Sequence, residues 1–163
     1  MRSYLHRHQP PLRLTKALLA GLGGGLAIAV LGLLTLQTGY ALLMAPFGAS
    51  CVLLFSQPFS PLSQPLNVFF GHVVSAAVGL LLCAVLPNTW WAVALAVGAA
   101  IALMAALRVT HPPAGANPLV IFSLHPGVSF LCLPVALGAL ALIICAVIFH
   151  RLSGQVYPLG KSD

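Results

Sequence analysis

Thr110-His111-Pro112-Pro113-Ala114-Gly115-Ala116-Asn117-Pro118-Leu119 is an island of turn-forming residues set between long apolar stretches. Its prolines withhold backbone donors and its glycine adds backbone freedom, so one regular helix cannot run through it. A degenerate copy lies upstream. Laid over residues 113–123, the run Pro46-Phe47-Gly48-Ala49-Ser50-Cys51-Val52-Leu53-Leu54-Phe55-Ser56 repeats proline, glycine, alanine, phenylalanine and serine in place, with Ser50 where the later copy has Asn117. Apolar segments broken by Gly and Pro at matching places in two halves of a chain are the sequence mark of a membrane transport site.

Composition fixes the class in which that reading applies. Of 163 residues, 60% are hydrophobic and 5% are charged, against roughly 25% charged in an average soluble domain. The chain reads as an integral membrane protein whose partner is the lipid bilayer, with room for one helix bundle and no nucleic-acid partner indicated.

The segments Ala17 to Leu36, Asn67 to Leu86, Trp90 to Leu107 and Phe130 to Phe149 are each long enough for the hydrocarbon layer, which takes about 20 helical residues. Between them lie two shorter pieces, Ala41 to Ser56 and Pro113 to Ser123, each read as a half-helix preceded by irregular backbone. The expected organisation is a basic tail over 1–16, a transmembrane domain over 17–150 with repeats near 17–86 and 87–150, and a tail over 151–163. Arg2, Arg7, Arg13 and Lys16 precede the first apolar run, which is too long for a signal-peptide core, and Arg151 and Lys161 follow the last. The positive-inside rule therefore places both termini in the cytoplasm and requires an even number of crossings. Two all-α topologies satisfy that parity: six spans in two oppositely oriented triplets, or four spans plus two re-entrant half-helices. The charge of Arg108 favours six, because only then does it fall on the cytoplasmic side; the shortness of 113–123 favours four.

Small residues recur at every fourth position in Gly21 to Gly25, Gly71-Ser75-Gly79 and Ala94-Gly98-Ala102, which suits close helix approach. Packing within one bundle is the reading preferred here, with a homo-oligomer face as the other use of such stripes. Trp90 and Trp91 read as interface anchors. Cys51, Cys83, Cys132 and Cys145 have no CxxC spacing and read as small core residues, with no disulfide framework, metal or cofactor indicated.

The strongest functional argument concerns acids. The only Asp or Glu is Asp163, so the membrane segments hold no carboxylate to bind a cation, relay a proton or serve as general acid or base. That argues against carboxylate-based cation transport and against an enzyme of the usual membrane hydrolase kinds. What remains is a basic chain with two embedded helix starts. Asn117 is a favoured N-cap ahead of Pro118, and Ser50 is expected to cap the equivalent start before Cys51. Gly115-Ala116 and Gly48-Ala49 supply backbone with almost no side chain ahead of each cap. Free amides at such starts form an anion site without a charged side chain. The competing reading is that both breaks only shape the bundle.

Histidines and neighbouring donors extend the candidate site. His111 abuts the break beside Arg108 and Thr110, and His72 lies in the third apolar segment; either can donate to an anion, and His72 can gate by protonation. A buried histidine bonded to a carbonyl is an equal reading for His72. His6, His8, His125 and His150 are expected in solvated tails or loops.

His111-Pro112-Pro113 followed by Ala114-Gly115-Ala116 resembles the signature of the HPP family of integral membrane proteins, and Pro46-Phe47-Gly48-Ala49-Ser50 resembles that family's second landmark. The likeness runs from Lys16 to Phe149. Members occur in bacteria, cyanobacteria and plastids, some are implicated in nitrite transport, and some carry a soluble regulatory domain. The resemblance implies a permease for nitrite or a similar small inorganic anion in a bacterial inner membrane. A non-transporting membrane scaffold or accessory subunit is the alternative.

Overall fold

The computed structural model describes residues 9–160, which are helical with no strand among them; the outer parts of both expected tails, including His6 and His8, lie outside this range. Six α-helices follow in order: α1 Leu14–Thr38, α2 Ala45–Ser56, α3 Pro65–Val85, α4 Trp90–Ala106, α5 Asn117–Leu124 and α6 Leu137–Leu152. A 3-10 turn over Pro112–Ala116 leads into α5, and a kinked stretch from Val128 leads into α6. Three segments are long and apolar enough by themselves to cross a membrane: Leu14–Thr38, Pro65–Val85 and Val128–Leu152.

Proline placement explains the irregular parts. Pro65 and Pro46 stand in the first turns of α3 and α2, where their missing N–H groups would be unpaired in any case. Pro134 instead interrupts the approach to α6: the preceding Leu133 is driven to an extended conformation (φ −132°, ψ 112°) and the segment kinks there.

Contacts at the two ends of the bundle decide between four and six crossings. At one end, Leu159 N–H donates to Gln64 Oε1 at 2.9 Å and Tyr157 O–H donates to the Ser63 carbonyl at 2.8 Å. Burial pushes the Tyr157 phenol well above its ordinary pKa, so it stays a donor. Gln9, Lys16, Gln57 and Gln155 line one hollow at that end, and Asn67 Nδ2 donates to the Thr110 carbonyl there at 3.0 Å. The start of α1, the end of α2, the start of α3, the end of α4 and the end of α6 therefore share one end. At the other end, Ala41 and Met44 meet Leu124 and Phe130 in a second hollow. The chain passes from end to end six times, as two triplets that run in opposite directions.

α2 is about 18 Å long for its 12 residues, and the non-helical residues 39–44 complete its pass. α5 has 8 residues, and the 3-10 turn completes its pass in the same way. Arg13, Lys16, Arg108 and Arg151, the Lys and Arg residues among those described, all fall at the end that holds the start of α1 and the end of α6.

Packing refines the reading of the small-residue stripes. The α3 stripe is internal: a Cβ at Gly79 would meet Ile121 Cδ1 at 2.9 Å and Pro118 Cα at 3.1 Å. In α4 the buried stripe is Ala92-Ala96-Ala100-Met104, while Ala94, Gly98 and Ala102 face outward. Gly21 and Gly25 of α1 also face outward, and Gly23 is the buried glycine, against Phe55 and Phe149. Trp90 and Trp91 are exposed at the start of α4, and the four cysteines are free.

With native cysteines replaced, Arg108→Cys is expected to react with an impermeant maleimide from the side that labels Gln155→Cys, and Asn88→Cys from the opposite side. Labelling of Arg108→Cys and Asn88→Cys from one common side would contradict six passes.

Candidate functional site

The two broken segments meet inside the bundle. Ser50, in the second turn of α2, is fully buried, as are His72 of α3 and His111 at the entry to the 3-10 turn; Asn117 is 1% exposed. Ser50 Oγ lies 2.8 Å from His72 Nε2 and 2.8 Å from His111 Nε2. It also lies 3.0 Å from the Pro46 carbonyl of its own helix. The imidazole centroids are 5.1 Å apart.

Backbone carbonyls fix the tautomers. Asn117 Nδ2 donates to the His72 carbonyl at 3.0 Å and lies 3.2 Å from His72 Nδ1. The amide cannot be turned over, because its oxygen would then face a carbonyl oxygen. The second amide hydrogen therefore goes to His72 Nδ1, which accepts, and His72 carries its own hydrogen on Nε2 and donates to Ser50 Oγ. His111 Nδ1 lies 2.8 Å from the Leu62 carbonyl; it must donate there, which leaves the neutral ring's Nε2 as an acceptor toward Ser50. Donation thus runs from Asn117 to His72 and from His72 to Ser50, and separately from His111 to Leu62.

Ser50 and Asn117, the residues at matching places in the two copies of the broken motif, take hold of the two ring nitrogens of the same histidine. The match extends further. Buried residues of α2 are Pro46, Phe47, Ser50, Cys51, Leu54 and Phe55, and buried residues of the later copy are Pro113, Ala114, Asn117, Pro118, Ile121 and Phe122. Each falls opposite its counterpart in the alignment.

Close packing holds the cluster. A Cβ on Gly71 would lie 2.7 Å from His111 Cβ and 3.0 Å from the Val109 carbonyl, so only glycine lets the break approach α3 this closely. Gly138 of α6 gives the same clearance to Phe47, whose ring stands edge-on to His72 with centroids 5.0 Å apart. Ser75 Oγ donates to the Ala114 carbonyl at 2.6 Å.

Several expected roles change. Ser50 is not a cap: α2 begins at Ala45 after Met44, so Ser50, Gly48 and Ala49 lie within a continuous helix. Gly48 and Ala49 face outward, away from the cluster. Asn117 makes no cap hydrogen bond either; its amide is committed to His72. At the helix starts, Phe47 and Gly48 N–H both point to the Met44 carbonyl, and Ala114 N–H to the His111 carbonyl, so these three amides are taken. The side chains of Ser50, His72, His111 and Asn117 bond to one another where the two broken segments meet.

Gly115 and Ala116 lie half-buried in the 3-10 turn, with open space where a Gly115 Cβ would go. Thr110 is half-buried at the rim, and Arg108 is exposed in a left-handed conformation (φ 60°). His125 is exposed, as expected, whereas His150 is buried on the inner face of α6 and bonded through Nε2 to the Leu54 carbonyl at 2.8 Å. Its spacing of four from Ala146 and eight from Leu142 was the available signal. Asn67, Ser75 and Phe47 were not singled out for the site; Ser75 was visible only as a small residue between two glycines.

Ser50 and His111 have the separation of a nucleophile and its base. Ser50 Oγ is, however, fully buried against three protein atoms, which leaves no space beside it for an electrophile in this conformation. The arrangement suits holding and transferring a proton.

Residues 9–158 match the HPP transmembrane region family. The chain belongs to this HPP family. Two transmembrane proteins of Dictyostelium discoideum are similar to it, one 37% identical over 147 residues and the other 36% identical over 126. These matches cover 82% and 72% of this chain but 47% and 44% of those proteins, so the chain spans about half the length of the curated relatives it matches. No solved structure matches it significantly. The histidine of the HPP signature, His111, is thus one of the two imidazoles held by Ser50.

Asn117→Ala is expected to lower the stability of the HPP bundle by about 1–3 kcal/mol, since it leaves the His72 carbonyl and Nδ1 short of a buried donor. Thermal unfolding in detergent checks the cost, and ¹⁵N spectra of the histidines check that His72 loses its single tautomer. A variant with unchanged stability and an unchanged His72 tautomer would refute this account of the cluster.

Proposed function

We propose that this HPP protein is a permease for small monovalent inorganic anions, nitrite foremost, rather than an enzyme. The observation that carries the reading is the meeting of the two broken segments at one buried cluster, where Ser50 and Asn117 hold opposite sides of His72. Six passes in two opposed triplets, with matching burial in the broken segments, support an inverted repeat, and repeat interfaces at membrane depth are where transporter substrates sit. The absence of any Asp or Glu but Asp163 removes the usual side-chain ligand of a metal cation from the bundle, which favours an anion.

The basic residues collected at one end support placing that end in the cytoplasm of a bacterial inner membrane, and they raise the local anion concentration at the rim. Arg108 and Thr110 stand there, a short way from His111. The described conformation is the occluded form on this reading, with α2 and the 112–117 turn closed over the histidines. Transport opens that contact toward one end at a time. Oligomerisation, where it occurs, would use the outward stripes of α1 and α4.

Proteoliposomes containing the purified chain should take up nitrite and exclude potassium. Potassium flux equal to nitrite flux would refute an anion permease, and absence of any flux would favour a scaffold.

Site geometry also orders the variants. Gly71→Ala drives a methyl into His111 and should sharply reduce nitrite flux per folded molecule, whereas Gly48→Val, on an outward face with open space around it, should leave flux largely intact. The reverse order would place the pathway outside the histidine cluster.

A further inference from the structure

The hydrogen count at Ser50 does not close for the neutral cluster. Oγ has three partners, at 2.8, 2.8 and 3.0 Å, and a hydroxyl can accept two hydrogen bonds and donate one. His72 Nε2–H fills one acceptor position. In the neutral cluster the single Ser50 hydrogen points either to His111 Nε2 or to the Pro46 carbonyl, so one of these contacts holds no hydrogen. A proton added to His111 Nε2 resolves this. His111 then donates to Leu62 through Nδ1 and to Ser50 through Nε2, His72 donates to Ser50, and Ser50 donates to Pro46. Every close contact becomes a hydrogen bond with no movement of heavy atoms.

A second polar group bears on the same point. Asn117 Oδ1 is buried without a hydrogen-bond partner, and the two contacts of its amide nitrogen with His72 fix which way the amide faces. The group it leaves open is an acceptor beside the histidines, suited to a proton-bearing oxygen, as in water or the acid form of an oxyanion.

Charge decides what accompanies the proton. A buried imidazolium with no counter-charge is costly. Groups facing the cluster are Phe47 and Ser50 from α2, Gly71, His72 and Ser75 from α3, Gly138 through Phe47 from α6, and His111 and Asn117 from the break. Cys51 turns toward Gly24 of α1, and His150 packs with Phe55, Phe149 and Tyr157 instead. The two histidines are thus the titratable side chains in the cluster, and neither has an acid beside it.

We propose that Ser50, His72 and His111 form a proton-binding site in which His111 Nε2 takes up one proton together with the anion, so that the protein moves an anion and a proton as a neutral pair. This rests on the anion-permease reading. In each cycle a hydronium O–H bond breaks as the N–H bond at Nε2 forms, the proton stays while the anion provides the counter-charge, and on the far side the N–H bond breaks as a water molecule takes the proton back.

The test uses proteoliposomes of the full chain with an entrapped pH dye, nitrite as the probe, and protein-free vesicles to subtract the passage of nitrous acid through lipid. Nitrite uptake should acidify the lumen by one proton for each nitrite and should not respond to an imposed potassium–valinomycin potential. Ser50→Ala should lose the coupled acidification, and Ser50→Thr, which keeps the hydroxyl, should restore it at equal folded yield. Nitrite flux that follows the potential without acidifying the lumen would overturn the proton site and leave the anion permease standing. If no nitrite flux is seen, the permease reading fails. Lumen acidification under an imposed pH gradient alone, lost in Ser50→Ala, would then keep the proton-binding site but overturn its pairing with an anion; without that movement both fall.

Discussion

Backbone that leaves the helical pattern inside a bilayer must find hydrogen-bond partners within the protein, because lipid supplies none. The 110–118 segment meets that requirement with side chains from α3. Residue 118 is proline and cannot serve the Ala114 carbonyl, which accepts the Asn117 N–H in the 3-10 turn and a second hydrogen from Ser75 Oγ at 2.6 Å. Asn67 serves the Thr110 carbonyl at 3.0 Å. Within the break, His111 serves Leu62, and Asn117 serves His72. The bonds from Ser75 and Asn67 satisfy the backbone of the break and those from His111 and Asn117 fix the hydrogen positions on both imidazoles, so one segment carries both the structural bonds and the site chemistry.

Glycine makes the network possible by removing volume where it would interfere. Gly71 admits His111 to the surface of α3, and Gly138 admits the Phe47 ring that stands against His72. In a close-packed interior neither approach would survive an added methyl without displacement of its neighbours. The bundle is tight around the cluster and more loosely packed at its periphery, where Gly21, Gly25, Gly98 and Gly48 face outward.

The two copies of the broken motif reach the same centre by different local structures. In the earlier copy Pro46 sits in the first turn, where it is harmless, and α2 runs unbroken to Ser56. In the later copy Pro112, Pro113 and Pro118 force an extended His111, a 3-10 turn and a short helix. The buried positions nonetheless match one for one, since each segment presents one face to the same core. Ser50 and Asn117 therefore arrive from opposite sides as hydroxyl and amide, two groups of different reach.

The membrane class, the long helices and the two interruptions were legible in residue order, because they depend on hydropathy over about 20 residues and on the local chemistry of proline. Sequence also singled out His72, His111, Ser50 and Asn117, since polar residues in apolar segments are few. What it could not give was their partners. Ser50 and Asn117 read as caps because capping is the local use of such residues, whereas in the bundle their bonds cross to residues 22 to 61 positions away. Gly48 and Ala49 read as an approach to the site because periodicity does not say which face of α2 meets the core. The crossing number likewise waited on which ends lie together. Those are contacts between distant parts of the chain, set by how six helices share one interior, and only the tertiary structure decided them.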